Sequence, residues 1–204
     1  MSRVKATKIL IFKTARYWNY STEMNENELL RTPVFNVVER FFKGQQFCLL
    51  KNRDWVNVFA FSGPNLWLVE QKRFGGEYLT VEPAGGLVEN EQSNKDAAKE
   101  ELQEELGLVA AEMVHAGSFM PNPGLMNNNC HCYIAIDCEP IVNHSPEEGV
   151  KPVSLSSSEL KSWLFDTPPV HGLVIASALL VARKASLLRR HHPDWSEAFR
   201  ALVD

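Results

Sequence analysis

This 204-residue chain has no surplus of positive charge. Its 21 lysines and arginines face 25 aspartates and glutamates, a net charge of −4. A nucleic-acid binder shows a basic face to the phosphates, and none is visible, so nucleic acid is not an expected partner. Long apolar runs are also missing. "GLVIASALLVA" is about half a membrane span, so no membrane partner is expected. "ILIF" near the start is too short for a secretory core and meets Lys13 at once, so no leader is expected. The four cysteines, Cys48, Cys130, Cys132 and Cys138, are too few to staple a chain of this length. Cys130-His131-Cys132 lacks zinc-knuckle spacing and a second ligand pair. On an alternating strand Cys130 and Cys132 share one face as small core residues. A reducing cytoplasm is the expected compartment. With 45% hydrophobic and 23% charged residues, the chain can bury a normal core without metal or disulfide.

The pattern alternates β-rich segments with two long helical ones. "KILIFK", "VFNVVERFF" and "QFCLLK" read as strands, with the polar "NYSTEMNENELLRTP" between them as a loop or linker. "DWVNVFAF" and "NLWLVEQKRF" flank the turn signal "SGPN" and form a hairpin. Trp55, at its start, reads as core. "YLTVEP" is a short strand stopped by Pro83. "EMVHAGSFM", "CHCYIAID" and "VKPVSL" follow as strands, the first two joined by "PNPGLMNNN". "SSELKSWLF" is a short helix. "PPVHGLVIASALLVARKASLLRR" is a core helix opened by its prolines. "HHPDWSEAFRALVD" ends in a short helix with Asp194 as its cap. Mixed strands with helices on opposite sides give an α/β (α+β) sandwich.

Between them lies "PAGGLVENEQSNKDAAKEELQEELGLV", residues 83–109. Ser93 caps a helix with Asp96 three residues on, Ala98, Leu102 and Leu106 form its buried stripe, and Gly107 stops it. Its charged pairs four apart are all alike: Lys95 with Lys99, Asp96 with Glu100, Glu100 with Glu104, Glu101 with Glu105. Each costs a few tenths of a kcal/mol, roughly the 0.2–0.5 that an opposite pair supplies. The glutamates also crowd the end where the helix dipole disfavours them. A solvated acidic face and a divalent-cation site both remain open on the residues alone. Hard cations take several carboxylate oxygens, and Mg²⁺ is commonly held by a few carboxylates plus substrate phosphates.

The stretch resembles the Nudix box, G-x5-E-x7-R-E-U-x-E-E-x-G-U with U aliphatic. Anchored on Gly86, seven of nine defined positions match, through Glu101, Leu102, Glu104, Glu105, Gly107 and Leu108. The flanking "VEQKRF", "PAG", "DWVNV" and "PNPGLMNNNCH" resemble the branch that hydrolyses ADP-ribose and nucleoside diphosphate sugars. The resemblance implies a Nudix fold, an α/β/α sandwich with a mixed sheet. It also implies a Mg²⁺ (or Mn²⁺) cofactor and a small nucleotide substrate split into a nucleoside monophosphate and a sugar phosphate. Glu101, Glu104 and Glu105 are then the metal ligands and catalytic carboxylates, with the Ala84 carbonyl beside them. A further base comes from the loop "HSPEEGVKPV", where Glu148 aligns best and Glu147 is next to it. Gly86, Arg73 and Asn128 are the expected substrate contacts, with Asn127 in the same loop.

Two positions depart from the box. Gln92 stands for its first glutamate and Glu100 for its arginine. In the family that arginine supports the catalytic glutamates, so an anion there should raise their pKa values. Glu91 and Lys99 are the neighbours that could substitute. A nucleotide-binding module of the same fold and a hydrolase of another diphosphate, such as a dinucleotide, are the competing readings. Residues 1–55 are expected to be an N-terminal β arm, which relatives use to form homodimers that share the substrate site. Residues 56–187 form the Nudix domain, and 188–204 a tail.

Overall fold

The computed structural model describes residues 25–168 and 170–204. "KILIFK" lies outside the described residues. Two sheets form. The first holds β1 (Asn25–Arg31), β2 (Phe35–Phe42) and β3 (Gln45–Asn52), all antiparallel. The polar segment expected as a loop therefore supplies a strand. Its acids are the reason: Glu26 on β1 pairs across the sheet with Arg40 at 2.7 Å and Lys51 at 2.6 Å, and opposite charges on facing strands support pairing.

The second sheet is mixed. β4 (Trp55–Ser62) and β5 (Asn65–Arg73) form the expected hairpin, and β5 also pairs β6 (Tyr78–Glu82). After the helix α1 (Asn94–Leu106), β7 (Leu108–Phe119) and β8 (Cys130–Pro140) pair antiparallel, and β8 runs parallel to β4. β9 (Val150–Leu155) adds to β5 antiparallel. Strands β4 and β8 are buried on both faces, as a central parallel pair must be.

Helices cover both faces. On one, α1 seals Val56, Val58, Ala60 and Ala135 with Ala97, Ala98, Leu102 and Leu106. On the other lie α2 (Leu160–Phe165), α3 (Gly172–Arg183) and α4 (Pro193–Arg200). Cys130 and Cys132 are buried in that second layer, as their shared face predicts. α3 begins at Gly172, beyond the prolines expected to open it. The expected tail is part of the core: Trp195 and Phe199 of α4 pack edge-on to Phe61. Trp195 Nε1 donates to the Pro64 carbonyl at 2.9 Å. His192 occupies the cap position of α4, and Asp194 lies inside its first turn. The sheet with helices on both faces is the α/β/α sandwich expected.

Candidate active site

The site grows from one helix and one turn. Ser93 Oγ accepts the Asp96 N–H at 3.1 Å, capping α1. Gly107 ends it with φ +63°, and its N–H returns to the Gln103 carbonyl. A Cβ at Gly107 would also strike the His144 ring at 2.3 Å. With the apolar stripe buried against the sheet, the helix is fixed in rotation, and its acidic flank faces the Pro83–Gly86 turn.

That turn is held to β4 by two backbone bonds, Val58 N–H to the Ala84 carbonyl at 2.8 Å and Val56 N–H to the Gly86 carbonyl at 2.9 Å. The Ala84 carbonyl expected as a ligand thus already accepts one bond. Gly85 N–H donates to Glu105 Oε2 at 2.7 Å. Gly86 lies against Glu101: a Cβ there would fall 2.0 Å from Glu101 Oε1. The structure brings together Glu101, Glu105 and Gly86.

Both carboxylates are short of positive partners. Burial pushes Glu101 up to about 7, with Glu104, Glu147 and Glu100 adding to the rise. The anion at position 100 therefore acts in the direction expected, though it is the smallest of these causes. Burial pushes Glu105 up to about 8 against the Gly85 N–H, and Glu101 raises it further. Two desolvated carboxylates side by side are a good partial donor set for a hard dication. Among the described residues no group of three acids, histidines or cysteines closes a cage. A bound ion would complete its shell from water and substrate phosphates, which is how Mg²⁺ is commonly held.

The other expected acids divide. Glu104 is exposed and lines an open groove with His144, Ser145 and Glu147. Of the loop pair it is Glu147 whose charge reaches both Glu101 and Glu105. Glu148 is exposed and lines none of the described cavities. Glu91 lies exposed in a left-handed turn, φ +64°. Lys99 turns outward to Asp96 at 3.2 Å. Neither substitutes for a box residue.

A cavity of about 390 Å³ adjoins the turn. Trp55, Asn57, Arg73, Glu82, Gly85, Gly86 and His171 line it, with Val34 from the β1–β2 connection. Trp55 packs against the core as expected, but it is half-buried and also lines this cavity. Arg73 also faces it, tied to Glu82 by two bonds of 2.8 and 2.7 Å. Asn128 is elsewhere. It is 1% exposed and donates to the Arg53 carbonyl at 3.1 Å. Asn127 accepts the Asn52 N–H at 2.8 Å. Both asparagines fasten the β3–β4 connection rather than line the cavity. His131 is likewise occupied, between Asp54 at 2.9 Å and Ser118 at 2.7 Å.

Sequence reasoning missed Glu82 and His171. Burial pushes the Glu82 carboxyl up, but hydrogen bonds from Arg73 and Thr80 outweigh it and hold the group below its ordinary value. His171 Nε2 lies 3.8 Å from Glu82 Oε2. Glu82 directly precedes the Pro-Ala-Gly turn, and that adjacency was the available signal.

The NUDIX domain profile matches residues 51–171, more than half of the chain. No curated protein matches it. A crystal structure described as an ADP compounds hydrolase is similar in fold, with a TM-score of 0.68 at 20% identity over 81% of this chain and 94% of that one.

Proposed function

The chain belongs to the NUDIX family and is a Nudix pyrophosphohydrolase; from that premise we propose that it splits the diphosphate of ADP-ribose or a related nucleoside diphosphate sugar. The observation that carries the reading is the half-buried Glu101 and buried Glu105, neither hydrogen-bonded to a cation, set against Gly86 and Gly85, which line a cavity with Arg73 and Trp55. The similarity to an ADP compounds hydrolase points to the same substrate class.

Water attacks one phosphorus, one bridging P–O bond breaks, and a nucleoside monophosphate and a sugar phosphate leave. Glu101 and Glu105 would hold a divalent cation, Mg²⁺ or Mn²⁺, with Glu104 able to swing in from the groove. When bound, that ion supplies charge neutralisation for the diphosphate and makes water more acidic. The Gly85 N–H fixes the orientation of Glu105, and the missing side chain at Gly86 leaves room for Glu101. Arg73 offers the diphosphate a guanidinium already oriented by Glu82, and its fork geometry suits phosphate oxygens. The Trp55 ring offers a face for a base or ribose. Glu147, whose charge acts on both Glu101 and Glu105, is the loop acid we assign to accept the proton of the attacking water.

The β1–β3 sheet exposes Leu29 at 55%, Leu30 at 53% and Phe47 at 43%. We infer that this sheet is the arm of a homodimer, and Val34 brings it to the cavity wall. Light scattering at micromolar concentration tests this; a monomer sinks it. No helix among the described residues is long and apolar enough to cross a membrane. All four cysteines are free, which suits the reducing cytoplasm this reading assigns.

The deciding assay is AMP release from ADP-ribose with Mg²⁺ or Mn²⁺, beside UDP- and GDP-sugars, in the parent and in Glu101→Gln. Turnover that Glu101→Gln abolishes supports the reading. Tight nucleotide binding without turnover of any of these compounds overturns it.

A further inference from the structure

The two residues that break the box, Gln92 and Glu100, touch each other. Gln92 Nε2 donates to Glu100 Oε2 on the second turn of α1. Gln92 Oε1 accepts the Glu89 N–H at 3.0 Å, and the Gln92 N–H donates to the Glu89 carbonyl at 3.2 Å. Glu89 pairs in turn with Arg53, and Val88 N–H donates to the Asp54 carbonyl at 2.8 Å. One side chain therefore closes a circuit. It runs from the start of β4, along residues 86–92, across to α1 at Glu100, and back through Glu101 to Gly86.

We propose that Gln92 and Glu100 are a matched pair of positioning residues: the Gln92 amide straps the loop before α1 to the helix and so sets Glu101 against Gly86. Catalysis as a readout rests on the proposed reaction; the strap itself does not. The chemistry requires an amide. It accepts and donates at once, whereas a carboxylate accepts only and a guanidinium donates only. Gln92→Glu could still accept the Glu89 N–H, but it would set two carboxylates facing each other. Glu100→Arg would set donors against the Gln92 Nε2 donor and take away the oxygen that it now bonds, leaving only a shared Oε1 for the guanidinium. Either change alone moves one position back to the box and breaks the strap. Both together rebuild it with the polarity reversed, as a carboxylate–guanidinium fork. The two departures are thus one compensated exchange, and this chain needs no arginine at position 100.

The test is a double-mutant cycle of Gln92→Glu and Glu100→Arg, with Glu100→Gln as the conservative variant that keeps an acceptor. Two quantities are read: kcat and KM for ADP-ribose with Mg²⁺, and the dissociation constant of Mn²⁺ without substrate, by electron paramagnetic resonance. Thermal unfolding confirms that each variant folds. Each single variant should lower kcat and weaken Mn²⁺ binding by roughly tenfold, within the range of coupled neighbours. KM should hardly move. The double variant and Glu100→Gln should return to within about twofold of the parent, the scatter of independent sites. A double variant equal to the product of the singles overturns the proposal. So do singles that lower the melting temperature while leaving kcat and Mn²⁺ affinity unchanged. Should the parent release no AMP from ADP-ribose, the substrate assignment fails there, and the Mn²⁺ cycle still decides the strap by the same criteria.

Discussion

Glu82 and Glu105 flank the same four-residue turn and are about equally inaccessible, 6% and 4% exposed. Their electrostatics are opposite. Glu82 receives both forks of Arg73, and its carboxyl lies below its ordinary value. Glu105 receives one backbone N–H, lies near Glu101, and is pushed up to about 8. Burial raises both groups, so partners decide the difference. The chain gives Glu82 a hydrogen-bonded cation, while Glu105 feels the same Arg73 only through space, too weakly to offset its burial. A buried carboxylate left without a counter-charge costs folding energy, and a site for an external cation is the use that explains its presence.

The widest separation between the two should come from neutralising each. Glu101→Gln or Glu105→Gln should lower kcat for ADP-ribose by about 10³-fold, the loss typical of a key transition-state contact. Neither should destabilise the cation-free protein. Glu82→Gln should lower unfolding free energy by about 1–3 kcal/mol, because it leaves Arg73 without its fork. Urea titration and product assays on the three variants check this. Equal destabilisation by Glu105→Gln and Glu82→Gln would erase the contrast.

The turn between them offers a second, smaller test, because its two glycines touch different things. The three atoms nearest a Cβ on Gly86 all belong to the movable end of Glu101, while one on Gly85 meets the Val56 carbonyl at 2.1 Å. Gly86→Ala should therefore fold normally and lose about 10²-fold in kcat through a displaced carboxylate. Gly85→Ala should lose about 1–3 kcal/mol of stability by overpacking against backbone. Thermal unfolding and kcat, measured on both, separate the effects.

Protonation sharpens the comparison next. Glu101 and Glu105 rise from an ordinary 4.5 to about 7 and about 8 in the fold. The fold thus prefers them protonated. Their stabilising contribution is complete below pH 4.5 and is lost as pH climbs through 7 and 8. The cation-free protein should lose stability from pH 6 to 8.5, and the double variant Glu101→Gln/Glu105→Gln should flatten that slope. Mg²⁺ or Mn²⁺ should stabilise the parent more at pH 8 than at pH 6. Melting temperatures over this range decide it; a parent that gains stability across the window would contradict the assignment.

Local chemistry made the Glu105 side of this contrast readable in the sequence. Ser93, the Ala98–Leu102–Leu106 stripe and Gly107 specify α1, and box spacing then fixes which glutamates face the turn. The Glu82 side offered only its place before the turn; the partners that set its charge, Arg73 from another strand and His171 at the start of α3, could not be read from there. The same limit explains Asn128: a loop asparagine looks like a ligand contact until the Arg53 carbonyl it binds is placed beside it. Asn25–Arg31 escaped as a strand because its periodicity is polar, and its pairing depends on Arg40 and Lys51 of neighbouring strands. The capping role assigned to Asp194 failed by two residues, since Pro193 takes the first helical position.

The smallest effect separates two adjacent loop residues. The negative charge of Glu147 helps to raise both Glu101 and Glu105, and Glu148 is not among the causes acting on either. A carboxylate acting through partly solvated space changes a rate by about two- to fivefold. Glu147→Gln should alter kcat/KM by that amount and move the carboxyl titrations of Glu101 and Glu105 downward in ¹³C NMR. The downward direction follows from removing a negative neighbour. Glu148→Gln should leave both observables alone. High salt should shrink the Glu147 effect, because an exposed charge is screened within about 8 Å at physiological ionic strength. Were Glu148→Gln the more damaging change, the loop would close over substrate in the other register, and Glu105 would draw its acidic neighbour from there.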